Sequence, residues 1–554
     1  MNIKGSPEYG SRSSHRAMTL ALPTIVSASS NDLASSGKQF DAVIAVYPAI
    51  SQDLLSAFST LNSFAAVDKD FGSSLTLIPD QNVAGGRLIL APTGSLYGDS
   101  DDVRKFQEVT KAAMKRAQAA GAVAPLFYFP SKIDREDEDY ARYIEVSILG
   151  ALAAVFDPID VREHYEKIGK NHYTVQKIGV LVAGAELAPE RVNFVNAVEI
   201  GRRVAKDLGS PNCERMTPIK FTEYLETYFK PKSDIKLTVI KDVDVIEKEY
   251  PLLHAVTRCA LSVPRHFPRV VKFEYKSDEP SKVKENLYFV GKGVTYDTGG
   301  ADIKAGGIMR GMSRDKCGAA TVAGFMATLA ELKPKHVNVT AILSLVRNSV
   351  GSNAYVSDEV IYSRAGVRVL VGNTDAEGRM VMTDPLCECK EKVLADRKAG
   401  INIPSRLFTV ATLTGHAIRA YGPYGICLDN GPARKANIST RIQAGGHILG
   451  DPFEVSTLRR EDYACVAPGT TAEDVVQAND KASSASARGH QYPMAFMSLA
   501  SGLNHFGLDK EKTDQIAYTH VDIAGSAEEL SGVGFSLPEV TGNPVPAFAS
   551  TFLL

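Results

Sequence analysis

Long apolar runs, paired cysteines and a surplus of charge of one sign are all missing from this chain. No apolar stretch approaches the roughly 18 residues that a bilayer crossing needs, so no membrane-spanning helix is expected. The opening segment, MNIKGSPEYGSRSSHRAM, is polar and has no apolar core, which excludes a secretory signal. Residues 1–39 are set aside as a leader or disordered tail. The seven cysteines, Cys213, Cys259, Cys317, Cys387, Cys389, Cys427 and Cys465, are odd in number and form no CxxC pair. That excludes a disulfide framework and points to free thiols in a reducing, cytoplasmic compartment. Cys387 and Cys389 have neither a second pair nor a nearby histidine to build a zinc site. The formal net charge is only −2 and no long basic run occurs, so a nucleic-acid partner is not expected. GxxxxGK[ST] and HExxH are absent, which removes a phosphate-binding loop of that kind and a helix-borne zinc peptidase site. No internal repeat or low-complexity segment is found.

What remains is an ordinary globular composition, 44% apolar and 23% charged, over 554 residues, too long for one core. Short β-rich runs alternate with helical stretches. Strands are expected at Asp41–Tyr47, Arg87–Pro92, Leu126–Phe129 and Lys177–Gly184, then in ENLYFV, VNVTAILSLV, VRVLV and RLFTVATL. The pattern predicts an α/β fold of two domains: a smaller N-terminal α/β domain and a larger C-terminal catalytic one around a mixed, largely parallel sheet. The smaller domain is placed at 40–190, a connecting helix at 191–209 and the catalytic domain at 210–554.

Ligands of open α/β sheets gather beyond the carboxyl ends of the strands. Three stretches carry unusual charge there. LYFVGKGVTYDTGGADIK holds Lys292, Asp297 and Lys304; GIMRGMSRDKCGAATVAGFM holds Asp315; VGNTDAEGRMVMTD holds Asp375, Glu377 and Arg379. Carboxylates sharing one cleft repel and lose hydration unless positive charge sits among them, and a pair of divalent cations meets that need. The D-x-E spacing puts Asp375 and Glu377 on one side of an extended segment. Taken singly, each acid is as readily a solvated loop residue, and Asp315 stands where a helix N-cap would.

NTDAEGR at Asn373–Arg379, with VGKGVTYDTGG upstream, closely resembles the signature of the leucyl aminopeptidase (cytosol aminopeptidase) family of dinuclear metallo-exopeptidases. MTP after the connecting helix, ATLTG at Ala411–Gly415 and HVDIAG at His520–Gly525 extend the resemblance over roughly residues 195 to 530. It implies a metal-dependent aminopeptidase that trims peptides with a free N-terminus, preferring apolar residues such as leucine, through a water activated by two metals. The implied ligands are Lys292, Asp297, Asp315 and Glu377 for one ion, and Asp297, Asp375 (side chain and backbone carbonyl) and Glu377 for the other. Zinc leads the candidates, with manganese, magnesium and cobalt behind it. Lys304 is implied to polarise the scissile carbonyl, and Arg379 to hold a bicarbonate ion as general base. Met312 and Thr412, Leu413, Thr414 and Gly415 are implied to line the pocket for the first side chain, in a homohexamer. The chain departs from the family at Asp315-Lys316-Cys317-Gly318, in AGGIMRGMSR, and at His416 after TLTG, which marks a divergent branch. A catalytically silent member with a structural or binding role is the competing reading. The intact set Lys292, Asp297, Lys304, Asp315, Asp375, Glu377 and Arg379 argues against it.

Overall fold

The computed structural model describes residues 22–554 apart from 35, 37, 131–132, 134–137, 171–174, 186, 479–480, 482 and 530–535. The chain divides into two compact units, Met1–Asn196 and Ala197–Leu554, and the division falls inside one long helix, Pro189–Gly209.

The first unit is a six-stranded sheet of β1 (Thr24–Ser27), β2 (Ala42–Tyr47), β3 (Thr76–Pro79), β4 (Arg87–Pro92), β5 (Pro125–Phe129) and β6 (Lys177–Val182), in the order β1-β6-β5-β2-β4-β3. All neighbours are parallel except the edge strand β3. Buried on both faces, β2 and β5 read as unbroken apolar runs, as internal parallel strands do. The helix Arg104–Ala119 turns one stripe, Phe106, Thr110, Ala113, Met114 and Ala117, to the interior. The span set aside as a leader needs correcting. Thr24–Ser27 forms an edge strand in register with Lys177–Val180. Residues 1–21 lie outside the described residues.

The second unit is built on eight strands: β7 (Ile235–Ile240), β8 (Arg269–Tyr275), β9 (Glu285–Asp297), β10 (Val337–Asn348), β13 (Ser405–Ala411), β14 (Gly425–Asp429), β15 (Phe453–Thr457) and β17 (Ala517–Asp522). Their order is β15-β14-β17-β13-β9-β10-β8-β7. The four central strands, β17, β13, β9 and β10, run parallel; β13 and β17 end level with Lys292 of β9, while β9 and β10 continue to Asp297 and Asn348. The pairs β14–β17, β10–β8 and β8–β7 are antiparallel, so the sheet is mixed but largely parallel. The helix Cys317–Leu332 is apolar almost all round and packs closely on β9: a Cβ on Gly291 would lie 2.7 Å from Ala319 Cα. Small residues there bring the helix start, and Asp315 just before it, over the end of the sheet.

VRVLV does not belong to the main sheet. Only Arg368–Leu370 is extended (β12), paired antiparallel with β11 (Val360–Tyr362) and parallel with β16 (Val475–Val476). The central positions of the main sheet are filled by longer strands, so Asp375 and Glu377 arrive from beside it.

All seven cysteines are free, and Cys387 and Cys389 are buried within the helix Glu377–Lys398. Among the described residues, no helix is long and apolar enough to cross a membrane.

Candidate active site

The carboxyl ends of the four parallel strands deliver one site. β9 carries Lys292 and ends on Asp297; β10 ends on Asn348; β13 leads into Thr412; β17 ends on Asp522. After Asp297 the chain reverses through Gly299 and Gly300, at φ +88 and +68, values that a side chain resists. This reversal lets Lys304 N donate to Thr298 O at 2.9 Å and brings the Lys304 side chain back over the strand end.

The D-x-E spacing works differently from an extended strand. Asn373 Oδ1 accepts from Asp375 N at 2.7 Å, Ala376 sits at φ −101, ψ 36, and Glu377 is the first residue of a helix. A side-chain-stabilised turn followed by a helix, rather than the pleat of a strand, makes the two carboxylates converge. Asp315 is not an N-cap either. The helix after it makes no side-chain cap bond, and Asp315 Oδ1 instead meets Lys292 Nζ at 2.7 Å and Thr412 Oγ1 at 2.9 Å.

Two lysines stand among four acids. Lys292 Nζ lies 2.7 Å from Asp315 and 2.8 Å from Glu377, and donates to Thr412 O at 3.1 Å. Lys304 Nζ lies 2.9 Å from Asp297 and in short contact with Asp375. Asp297, Asp315 and Glu377 are buried and each offers an oxygen within 4.8 Å of the others. Burial first, and neighbouring carboxylates with it, raise the carboxyls of Asp315 and Asp375 against the pull of Lys292 and Lys304 respectively; the net result for Asp375 is about 7. Burial opposes the charge on both lysines, but the surrounding carboxylates outweigh it and hold them well above the usual amine range. Asp315 Oδ2 and Glu377 Oε2, fully buried, have no hydrogen-bond partner among the described residues. Orphaned carboxylate oxygens facing a cluster of hard oxygen donors fit divalent cations.

Arg379 is buried and pairs with no acid among the described residues. One of its terminal nitrogens donates to Gln477 O at 3.0 Å, while Nε has no partner among the described residues. Burial pushes its guanidinium down to about 10, with Glu377 resisting. Such a group is suited to an anion.

Several supports lay outside the sequence reading. Gln477 holds the whole Asn373–Arg379 turn: its Oε1 accepts from Gly372 N and Asn373 N, each at 3.1 Å, and its Nε2 donates to Asn373 O and Ala376 O. Asn348 Nδ2 donates to Asp297 Oδ1 at 2.8 Å and Thr374 O at 3.1 Å. Asp522 Oδ1 accepts from Leu413 N at 3.2 Å, and Oδ2 from Thr414 Oγ1 at 2.8 Å, which fixes the segment after β13. Asp522 stands within HVDIAG and was open to notice; Gln477 stands in no recognisable pattern. Of the expected pocket residues, Thr412, Leu413 and Thr414 are tied to the acids in this way. Met312 is half-buried at the head of the short turn before Asp315, and Gly415 is exposed at the start of the helix Gly415–Tyr421.

The pattern describing the catalytic domain of the cytosol aminopeptidase family matches residues 203–549. "Putative aminopeptidase W07G4.4" of Caenorhabditis elegans is 38% identical over 515 residues, covering 91% of this chain and 94% of the relative. A "Probable cytosol aminopeptidase" of Alkalilimnicola ehrlichii is 28% identical over 479 residues, 86% of each chain. Among solved structures, the bottromycin maturation enzyme BotP, in complex with Mn, superposes with a TM-score of 0.68 at 20% identity. The match covers 92% of this chain and 98% of that one, a likeness of fold. With the acids and lysines of NTDAEGR and VGKGVTYDTGG gathered at one sheet end and its pattern matched across the second unit, the chain belongs to the cytosol (leucyl) aminopeptidase family of peptidases.

Proposed function

We propose that the protein is a dinuclear metal-dependent aminopeptidase that releases N-terminal residues, apolar ones such as leucine preferred, from peptides with a free N-terminus. The observation that carries this reading is the buried trio Asp297, Asp315 and Glu377, with two orphaned oxygens, lying against Lys292 and Lys304. Lys292, Asp297, Asp315 and Glu377 would hold one cation, and Asp297, Asp375 and Glu377 the other. Zinc is the first candidate and manganese, magnesium and cobalt are alternatives. When bound, the two ions would supply Lewis acidity and a nucleophile at neutral pH.

The chain's own residues do the rest. The Lys304 ammonium, on the rim of the acids, places a positive charge where the oxyanion of the tetrahedral intermediate develops. Arg379, whose Nε has no partner among the described residues, would hold a bicarbonate ion, which would supply a general base there. Met312 and Thr412–Gly415 receive the first side chain. Assembly as a homohexamer in the cytoplasm completes the reading.

The test is hydrolysis of a panel of aminoacyl amides, with Leu, Met, Phe, Arg and Asp first, by metal-stripped protein refilled with single metals. Turnover that needs both metal and a free α-amine, with Leu above Arg and Asp, is the expected result. No turnover in any metal at full loading would leave the catalytically silent reading, and a preference for Arg or Asp would overturn the apolar pocket.

A further inference from the structure

We propose that His490 is a positioning residue that sets the substrate-binding segment Thr412–Gly415 by gripping His416, an inference that rests on the aminopeptidase reading of the site. The imidazoles of His416 and His490 meet edge to edge, with 4.8 Å between centroids and 23° between planes, and their Nδ1 atoms lie 2.7 Å apart. One nitrogen must donate and the other accept. On the far side of His490, Nε2 bonds Ser456 Oγ at 2.8 Å. Gln491 Nε2 donates to that same oxygen at 3.0 Å, which ties the outer edge of the imidazole to two further side chains.

The platform behind His490 is rigid. Arg488, two residues earlier, holds Asp462 through two bonds of 2.7 Å and donates to Thr457 O at the same distance. It does so at φ +61, a conformation a non-glycine residue keeps only where its surroundings fix it. Tyr421 closes edge-on against His490 at 5.4 Å.

The segment being gripped needs the hold. The helix Gly415–Tyr421 buries only Ala417, so apolar packing contributes little to its placement. Its start is fixed by the Thr414 cap, by Asp522 and by the imidazole pair. The residues just before it make the contacts that matter to the site: Thr412 O with Lys292, and Thr412 Oγ1 with Asp315. The charged and titratable groups facing the pair are Arg419 on the same helix, Arg488, Asp462 and the buried His520. Both imidazoles are held below their usual range, by burial first; Arg419 and Arg488 then lower His416, and His416 and Arg488 lower His490, so the neutral pair persists at working pH.

The experiment measures initial rates on leucine p-nitroanilide with full-length, manganese-loaded protein carrying His490→Gln, His490→Asn or His416→Ala. The Gln amide reaches Ser456 but leaves nothing at the Nδ1 position, whereas the Asn amide occupies it. His490→Gln and His416→Ala are expected to raise KM about five- to tenfold, the cost of one buried hydrogen bond, with kcat within about twofold. His490→Asn keeps KM within about twofold, and combining His490→Gln with His416→Ala adds nothing to either alone. Unchanged KM in His490→Gln, or equal damage in His490→Asn, overturns the inference. Melting of the metal-free single and double variants separates the two readings. If the wild type hydrolyses nothing while the melting shifts stay non-additive, the aminopeptidase reading fails and the grip stands; additive shifts overturn the grip itself.

Discussion

Gly378 follows Glu377 and faces Lys292 and Leu413, and adding one methyl group there tests the site's geometry without removing any charged residue. A Cβ at this position would lie 2.6 Å from Lys292 Cε, 2.7 Å from Lys292 Nζ and 2.5 Å from Leu413 Cδ1. Ordinary contact begins at 3.4 Å, so the Lys292 carbon must retreat by 3.4 − 2.6 = 0.8 Å. A lysine on the surface would swing aside at no cost. Lys292 is 2% exposed and fixed by Asp315, Glu377 and Thr412 O, so its retreat pulls against all three. Overpacking of this kind costs about 1–3 kcal/mol of stability. A reacting group misplaced by about 1 Å costs on the order of a hundredfold in rate. Gly378→Ala is therefore expected to remain folded, with a melting point a few degrees lower, to lose metal content, and to hydrolyse leucine amides about a hundredfold more slowly. Circular dichroism, elemental analysis of dialysed protein and initial rates measure the three effects. A variant with full metal content and wild-type rate would refute the placement of Lys292 in the site.

Asp375→Ala or Glu377→Ala abolishes metal-dependent turnover with the fold retained, and wild-type rates at normal metal content would sink the two-metal proposal. Lys304→Ala lowers turnover far more than metal occupancy, by about 2.7–4 kcal/mol of transition-state stabilisation; if elemental analysis shows the rate following an emptied site, Lys304 belongs among the ligands. Stability should fall on acidification through His490, whose imidazole is pushed down to about 4 from 6.5, by burial first and then by His416 and Arg488. A depressed histidine contributes stability that is present above 6.5 and is lost as pH falls toward 4. Its depression from 6.5 to about 4 corresponds to about 3 kcal/mol. Melting curves should therefore show a smaller drop between pH 6.5 and 4 for His490→Asn than for wild type; equal drops would remove His490 from the acid response.

Much of the site was legible because chemistry leaves dense traces in short stretches. Asp375, Glu377 and Arg379 fall within seven residues, and Lys292 and Asp297 close an apolar strand, so charge where burial is expected stood out. The path of the backbone was less legible. A period of two reads as a strand, yet between Asp375 and Glu377 the alternation arises from a turn entering a helix. The supports were hidden for another reason. Gln477 makes its bonds to a turn about 100 positions earlier, and no local pattern records a partner so distant. His416 was visible as an odd residue after TLTG, but its partner His490 lies 74 positions on. The strand Thr24–Ser27 pairs with residues more than 150 positions away, and no local pattern records that partner either.

The strand order also bears on how the protein is made. β17 is the last strand of the large sheet to be synthesised, and it belongs between β13 and β14, near the middle. A nascent chain that has not yet produced Ala517–Asp522 leaves β13 and β14 with open edges that can pair with other chains. Closing the sheet requires contact between residues more than 100 positions apart, Arg406 with Ala517 among them, which makes closure a late and slow event. The same strand brings Asp522, so Leu413 and Thr414 are fixed only at that closure. Fragments ending before residue 517 should therefore be prone to aggregation as well as inactive. The interval between the synthesis of β14 and that of β17 is when this chain most needs protection from its neighbours.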